Sequence, residues 1–273
     1  MMENSQERIM WNIAFMAWRI GDILELDNQI DWIRSTGFDA IGFHASSGIS
    51  GVWQGIDPAQ TNSVKRQLLR QRLSDFKSIE IHAPFELTLK TSDLGIIIER
   101  LNPIIEFSED VGASILTIHA DLPSSSTNEF EKWQSYLDRL DILAREAGTK
   151  IGLELMQDFE YLNTPRRDNI GVTLDVGHMY LNDGKGYHPY GTIGGLVRSL
   201  KETLVHLHLH DYDGTYDHLE LGTGIIDFEN LLLGLSAIKY EGFICLELNP
   251  DRVSPERIQH SLEWIKQMIK RIS

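Results

Sequence analysis

The sequence predicts a single-domain α/β protein, a closed (β/α)8 TIM barrel spanning residues 1–273. Three observations support this. Eight short apolar runs of strand length and composition recur, segments with apolar residues at helical spacing separate them, and ionisable residues gather at the C-terminal ends of the runs. Strands alternating with helices imply βαβ units and a parallel sheet, and eight units in a chain of this size suit a barrel better than an open doubly wound sheet. An open sheet would also want a glycine-rich phosphate loop after its first strand, and Trp18-Arg19-Ile20-Gly21-Asp22 is not one.

The runs are Ile9–Met16, Ala40–His44, Ile79–His82, Ser114–His119, Lys150–Leu155, Gly171–Asp175, Leu204–His210 and Gly242–Leu248. Helical spacing follows the first run in Leu24, Ile30 and Ile33, and the fourth in Phe130, Trp133, Leu137, Leu140 and Leu143. It closes the barrel over 256–272, where Ile258, Leu262, Ile265 and Ile269 share a face. No low-complexity stretch or Gly/Ser-rich linker divides these units, and 42% hydrophobic residues suffice for one large core. The patch Ile9–Ile20 contains Asn12 and Arg19 and is far shorter than the roughly 20 residues of a membrane span. It reads as a core strand in a cytoplasmic protein with no membrane partner.

Forty acidic against 25 basic side chains leave a formal charge of −15, which disfavours nucleic acid as a partner unless the cations are concentrated on one face. Cys245, the single cysteine, lies inside the last apolar run and reads as a buried strand residue, so no disulfide framework is expected.

The strand ends carry the chemistry: His44, His82, His119, Glu154, Asp175 with His178, His208 with His210 and Asp211, and Glu247. One histidine in a strand is ordinarily structural. Here every strand end but the first bears a His, Asp or Glu, and in a barrel those ends form one rim where active sites sit. Mixed imidazole and carboxylate donors suit Zn, Mn, Co or Fe, and Mg where carboxylates dominate. Strand seven reads Val205-His206-Leu207-His208-Leu209-His210-Asp211, and its period of two puts the three histidines on one face. That face points into the barrel, with the leucines and Val205 against the helices. His206 is then deepest and structural, His208 the best ligand candidate, and His210 nearer the rim.

These motifs resemble the xylose isomerase-like barrels, which include sugar isomerases, sugar epimerases, inosose dehydratases and isomerases, and the endonuclease IV group. The resemblance covers nearly the whole chain. It is carried by Ile81-His82-Ala83-Pro84-Phe85, Thr117-Ile118-His119-Ala120, Gly152-Leu153-Glu154-Leu155, Thr173-Leu174-Asp175-Val176-Gly177-His178, strand seven, His218-Leu219-Glu220-Leu221-Gly222-Thr223-Gly224 and Leu246-Glu247-Leu248, in that order. It implies one divalent metal ion (Mn, Co, Mg or Zn) held by Glu154, Asp175, His208 and Glu247, with the two glutamates as acid and base on either face of a bound sugar. It further implies that His178 contacts substrate hydroxyls. His82, His119, His210 and His218 are the other candidate substrate contacts.

Glu154-Leu155-Met156-Gln157-Asp158-Phe159-Glu160 is similar to a segment of ketose 3-epimerases in which a second Glu, here Glu160, binds substrate. Those epimerases place an Arg six residues after the strand-seven ligand, and this sequence has Gly214 there, which leaves the particular sugar open. The endonuclease IV group, zinc-dependent phosphodiesterases on abasic DNA, is the alternative. Its nine-ligand, three-zinc pattern is matched by His82, His119, Glu154, Asp175, His178, His208, His218 and Glu247. The ninth position falls on Tyr216, with Asp217 one residue off, so a third metal position is expected to be a ligand short. Arg166-Arg167 after strand five is expected to be the main basic feature at the mouth. A non-catalytic metal-binding barrel is the third reading, opposed by retention of all four ligands.

Trp32, Trp133 and Trp264 sit at core spacing in helices, whereas Trp18 and Trp53 follow strands one and two and could wall a pocket. Trp18 is taken as a substrate contact. His188 reads as an exposed loop residue, and Asn182-Asp183-Gly184-Lys185-Gly186 has the glycines of a lid. The expected activity is that of a sugar phosphate isomerase/epimerase-type enzyme of carbohydrate metabolism, acting on a sugar or cyclitol by proton abstraction next to a carbonyl through a cation-stabilised enediolate. Inosose dehydration, a lyase reaction, begins with the same step. Whether the substrate is phosphorylated, and whether the chain forms a homo-oligomer, stay open.

Overall fold

Eight parallel strands close on one another in chain order in the computed structural model, which describes residues 10–48, 55–89, 94–121, 127–162 and 165–273. They are β1 (Ile13–Met16), β2 (Ala40–His44), β3 (Ile79–His82), β4 (Ile115–His119), β5 (Lys150–Glu154), β6 (Ile170–Asp175), β7 (Leu204–Leu209) and β8 (Ile244–Leu246). β8 returns to pair with β1 through Ile13↔Ile244 and Phe15↔Leu246, so no edge is left open. Each lies within the apolar run expected of it except β6, which starts one residue earlier at Ile170. β1 and β8 are the most shortened, β1 starting at Ile13 and β8 covering Ile244–Leu246; Ile9 lies outside the described residues.

The outer ring consists of α1 (Leu26–Thr36), α2 (Ser63–Leu73), α3 (Leu94–Val111), α4 (Thr127–Ala147), a four-residue turn α5 (Leu181–Gly184), α6 (Ile193–Ser199), α7 (Phe228–Ala237) and α8 (Pro255–Ile272). Their buried faces follow the helical period: Ile30 and Ile33 in α1, Trp133, Leu137 and Leu140 in α4, and Ile258, Leu262, Ile265 and Ile269 in α8. Among the described residues no helix is long and apolar enough to cross a membrane.

The strict strand–helix alternation breaks once. Between β5 and β6 the described residues hold a 3-10 turn, Phe159–Leu162, and no α-helix. Asp158 has a left-handed φ of 57° and Pro165 lacks an amide hydrogen, so this short connection has two helix breakers within it. The buried side chains of Phe159 and Leu162 fill part of the space a helix would cover, and α4 packs against both β5 and β6.

Inside the barrel, Ala14, Met16, Ala40, Ile115, Phe243 and Cys245 form a separate apolar cluster. Cys245 is fully buried there, and burial raises its thiol well above the ordinary range. Val205 departs from the expected arrangement. The ladder between β6 and β7 shifts register, pairing Val172 with Leu204 but Thr173 with His206. Val205 is the extra residue at this shift, so it packs against the interior cluster instead of against helices.

Candidate active site

Parallel register sets the rim. His44 pairs with His82, His119 with Glu154, and Asp175 with His208, each pair on neighbouring strands. Glu247 follows β8 and extends its ladder by donating its amide to Leu209 O at 3.0 Å. The structure therefore gathers Glu154, Asp175, His208 and Glu247 at one end of the barrel, with His82, His119, His178, His210 and His218 around them. Single donor atoms of Glu154, Asp175 and His208 lie within 4.8 Å of one another, as do those of His82, His208 and Glu247.

Hydrogen bonding leaves one atom free on each of the four expected ligands. Asp175 Oδ1 accepts the His178 amide at 2.8 Å and faces His210 Nε2 at 3.0 Å, while Oδ2 lies 3.3 Å from His178 Nδ1 without a hydrogen bond. Glu154 engages His178 Nδ1 through Oε1 at 3.3 Å, and its Oε2 has none. His208 turns Nε2 down to Glu80 at 2.6 Å, so its buried Nδ1 faces Glu154 Oε2 at 3.5 Å and Glu247 Oε2 at 3.4 Å. Glu247 Oε1 is likewise buried and unpartnered. Four desolvated donors with unused lone pairs and no covering hydrogen bonds are what a divalent cation would satisfy.

The electrostatics agree. Burial raises Glu247 to about 8, reinforced by the charges of Glu154, Asp175 and Glu80 and opposed by His208. Burial works against a charge on His208, yet Glu247, Glu80 and Glu154 lift its pKa well above the ordinary value. His178 is raised to about 10, because Asp175 and Glu154 outweigh its burial. Burial pushes Glu154 up, but the imidazoles of His119, His178, His208 and His82 hold it well below the usual range. Carboxylates crowd this point and favour positive charge at its centre. The donor set of three carboxylates and one imidazole fits Mn, Co, Mg or Zn.

The surrounding imidazoles have readable tautomers. His82 gives its Nδ1 hydrogen to Ala83 O at 2.7 Å, so in the neutral ring Nε2 is an acceptor; it stands 3.6 Å from Glu154 Oε2. An acceptor facing a carboxylate oxygen suits a hydroxyl or a cation between them. His119 Nε2 stands 3.4 Å from the same oxygen. Trp18 donates its indole N–H to His44 Nε2 and packs 5.4 Å from the His218 ring. Trp53 and the Glu160 side chain lie outside the described residues. His188 is exposed and packs only on Tyr187, 4.6 Å away.

Tyr216 points outward beneath Arg252, while the carboxylate of Asp217 next to it has Oδ1 3.2 Å from His218 Nδ1 and Oδ2 3.9 Å from His178 Nε2. The left-handed turn at His218, φ 53°, brings the neighbouring carboxylate round. One expectation is corrected: Arg166 and Arg167 leave the mouth. They line a cavity of about 790 Å³ at the opposite end, with the strand starts Lys150, Ile170 and Leu204, and pair with Glu202 at 2.6 Å and Asp138 at 2.7 Å.

One site residue escaped the sequence reading. Glu80 is fully buried within the barrel, with Oε1 accepting Thr117 Oγ1 at 2.7 Å and Oε2 contacting His206 Nε2 at 2.8 Å. Its position two residues before His82, hence on the same inward face, was the available signal.

Residues 30–268 match the family described as xylose isomerase-like TIM barrel. The chain belongs to that family. Among characterised and uncharacterised relatives of this xylose isomerase-like barrel, a protein of Methanocaldococcus jannaschii is 27% identical over 194 residues, 62% of this chain. A ketose 3-epimerase of Arthrobacter globiformis is 26% identical over 116 residues, 38% of this chain. The matches span 64% and 36% of those two proteins' own lengths. The xylose isomerase domain protein of Planctomyces limnophilus shares the fold with a TM-score of 0.74 at 19% identity, over 97% of this chain and 99% of that one.

Proposed function

We propose that this xylose isomerase-like barrel is a divalent-metal-dependent isomerase or epimerase that removes the proton next to a carbonyl of a ketose-like sugar or cyclitol. The observation that carries the reading is that Glu154 and Glu247 both approach His208 Nδ1, at 3.5 and 3.4 Å, each with a buried oxygen lacking a hydrogen bond. The likeness to a ketose 3-epimerase supports it.

One cation held by Glu154, Asp175, His208 and Glu247 would supply Lewis-acid stabilisation of the charge that develops on deprotonation. The rest is the work of the chain. One glutamate takes the α-proton and the other returns a proton, to the opposite face for epimerisation or to the neighbouring carbon for isomerisation. His82 Nε2 accepts a substrate hydroxyl, His119, His178, His210 and His218 ring the same space, and Trp18 walls it. A cyclitol that then lost its β-hydroxyl would undergo dehydration.

A panel of free and phosphorylated ketoses and inososes assayed with Mn, Co, Mg and Zn tests the reading. Turnover of one of them with one metal per chain is the expected result. The placement of Asp217 gives His178 and His218 a carboxylate partner, so metal stoichiometry matters. Three metals per chain with cleavage of abasic DNA, and no sugar turnover, would make the protein an endonuclease IV-type phosphodiesterase. A tightly bound metal without any activity would leave a non-catalytic barrel.

A further inference from the structure

We propose that Glu80 is the positioning residue of this site: it makes Nδ1, and not Nε2, the atom that His208 presents to a divalent cation, and His206 holds Glu80 in place to do so. This rests on the metal reading above.

The argument starts from the donor inventory. A carboxylate only accepts hydrogen bonds, so an imidazole nitrogen in contact with it must carry the hydrogen. Glu80 Oε1 meets His208 Nε2 at 2.6 Å, and Oε2 meets His206 Nε2 at 2.8 Å. Both rings therefore place a hydrogen on Nε2. In the neutral ring that ligates a cation, the lone pair of His208 then belongs to Nδ1, the atom 3.5 Å from Glu154 Oε2 and 3.4 Å from Glu247 Oε2. The partner carboxylate also makes that lone pair a stronger donor, as outer carboxylates do for metal-bound histidines.

The clamp is rigid by construction. Thr117 Oγ1 donates to the oxygen that serves His208, and Thr117 itself lies 3.2 Å from Thr173 Oγ1, so the carboxylate is anchored through both oxygens. Glu80, His206 and His208 are all without solvent exposure. A buried anion in the middle of a barrel lined by Met16, Phe243 and Cys245 is a poor stability device, since well-packed apolar residues of similar volume ordinarily do as well or better. Orientation of a ligand explains its presence.

The test measures Mn2+ affinity by isothermal titration calorimetry, and the His208 tautomer by 15N NMR of the Zn2+-loaded protein. Glu80→Gln should weaken Mn2+ binding by about 10- to 100-fold, in the range of outer-shell changes, and remove the single Nε2–H pattern of His208. His206→Gln, which can still donate to Oε2, should stay near wild-type affinity, whereas His206→Leu should lose about 3- to 10-fold if it follows the same outer-shell logic. Unchanged affinity and tautomer in Glu80→Gln overturn the proposal. Should that variant not fold, unchanged affinity in His206→Leu overturns it instead. Wild-type protein that binds no divalent cation removes the metal reading and the proposal together. Glu80-dependent binding without sugar turnover upholds the proposal and removes only the proposed reaction.

Discussion

The backbone amide of His218 donates to Nδ1 of His210 at 2.8 Å, and the two rings stack 3.9 Å apart at 10°. His210 is thereby fixed with its hydrogen on Nε2, facing Asp175 Oδ1. The contact depends on the left-handed backbone of His218, φ 53°, which Asn tolerates and a β-branched residue does not. His218→Val should lose about 1–3 kcal/mol more stability than His218→Asn. Urea denaturation of the two variants compares them directly, and equal midpoints with equal slopes would show that the turn is not strained.

Glu154→Gln and Glu247→Gln keep the shape and one oxygen donor but remove the proton acceptor. Turnover of an identified substrate should fall by at least about 10²-fold in each, as for loss of a positioned general base. Exchange of the substrate's α-proton with deuterated solvent should fall in step, while metal binding survives in part. Near-native exchange in both variants would point to His178 or His210 as the base.

A cation that bridges Glu154, Asp175, His208 and Glu247 ties four strands together and should stabilise the fold. At a free concentration 100 times its dissociation constant the gain is about 2.7 kcal/mol. The melting temperature should then fall by several degrees on chelation, and rise again on adding Mn, Co, Mg or Zn. Scanning fluorimetry with and without chelator reads this, and identical melting curves would speak against a bound cation.

Gly177 lets His210 reach Asp175. A Cβ at this position would stand 2.0 Å from His210 Cε1, so the ring must move although the backbone at φ −66° accepts alanine. Gly177→Ala should destabilise by about 1–3 kcal/mol through overpacking and weaken metal binding because Asp175 loses its partner. Calorimetric unfolding and a metal titration of the same variant separate the two effects.

Glu220 ties the segment behind His218 to α8. Its buried carboxylate accepts from Arg257 Nε and from His260 Nδ1, the latter at 2.5 Å. Burial raises its pKa, but His260 and Arg257 prevail and hold it below the ordinary value of 4.5. A depressed carboxyl stabilises the fold above its unfolded-state pKa, and that share is lost as pH falls through the folded value. The stability of wild type should accordingly drop more steeply below about pH 4.5 than that of Glu220→Gln, which acid-denaturation curves of the two proteins would display.

The barrel and its rim were legible because both follow short-range rules. Apolar runs such as Lys150–Leu155 contain their strands, and the period of two in strand seven correctly turned His206, His208 and His210 inward. What was missed depends on contacts distant in sequence or on backbone detail. Glu80 looked like one acid in an amphipathic strand until His206 and His208, over a hundred residues away, closed on it. Val205 was misplaced because a register shift moves a side chain in a way that counting residues does not reveal. Arg166 and Arg167 were assigned to the mouth as residues after β5, but they lie just before β6 and so stand at the opposite end, where that strand starts.

The apolar cluster of Ala14, Met16, Ala40, Ile115, Phe243 and Cys245 seals the barrel beneath the rim. The site is therefore a cul-de-sac. Under the proposed reaction, substrate, product and exchanging water would then share the C-terminal end, since among the described residues this cluster lies between the site and the cavity lined by Arg166 and Arg167.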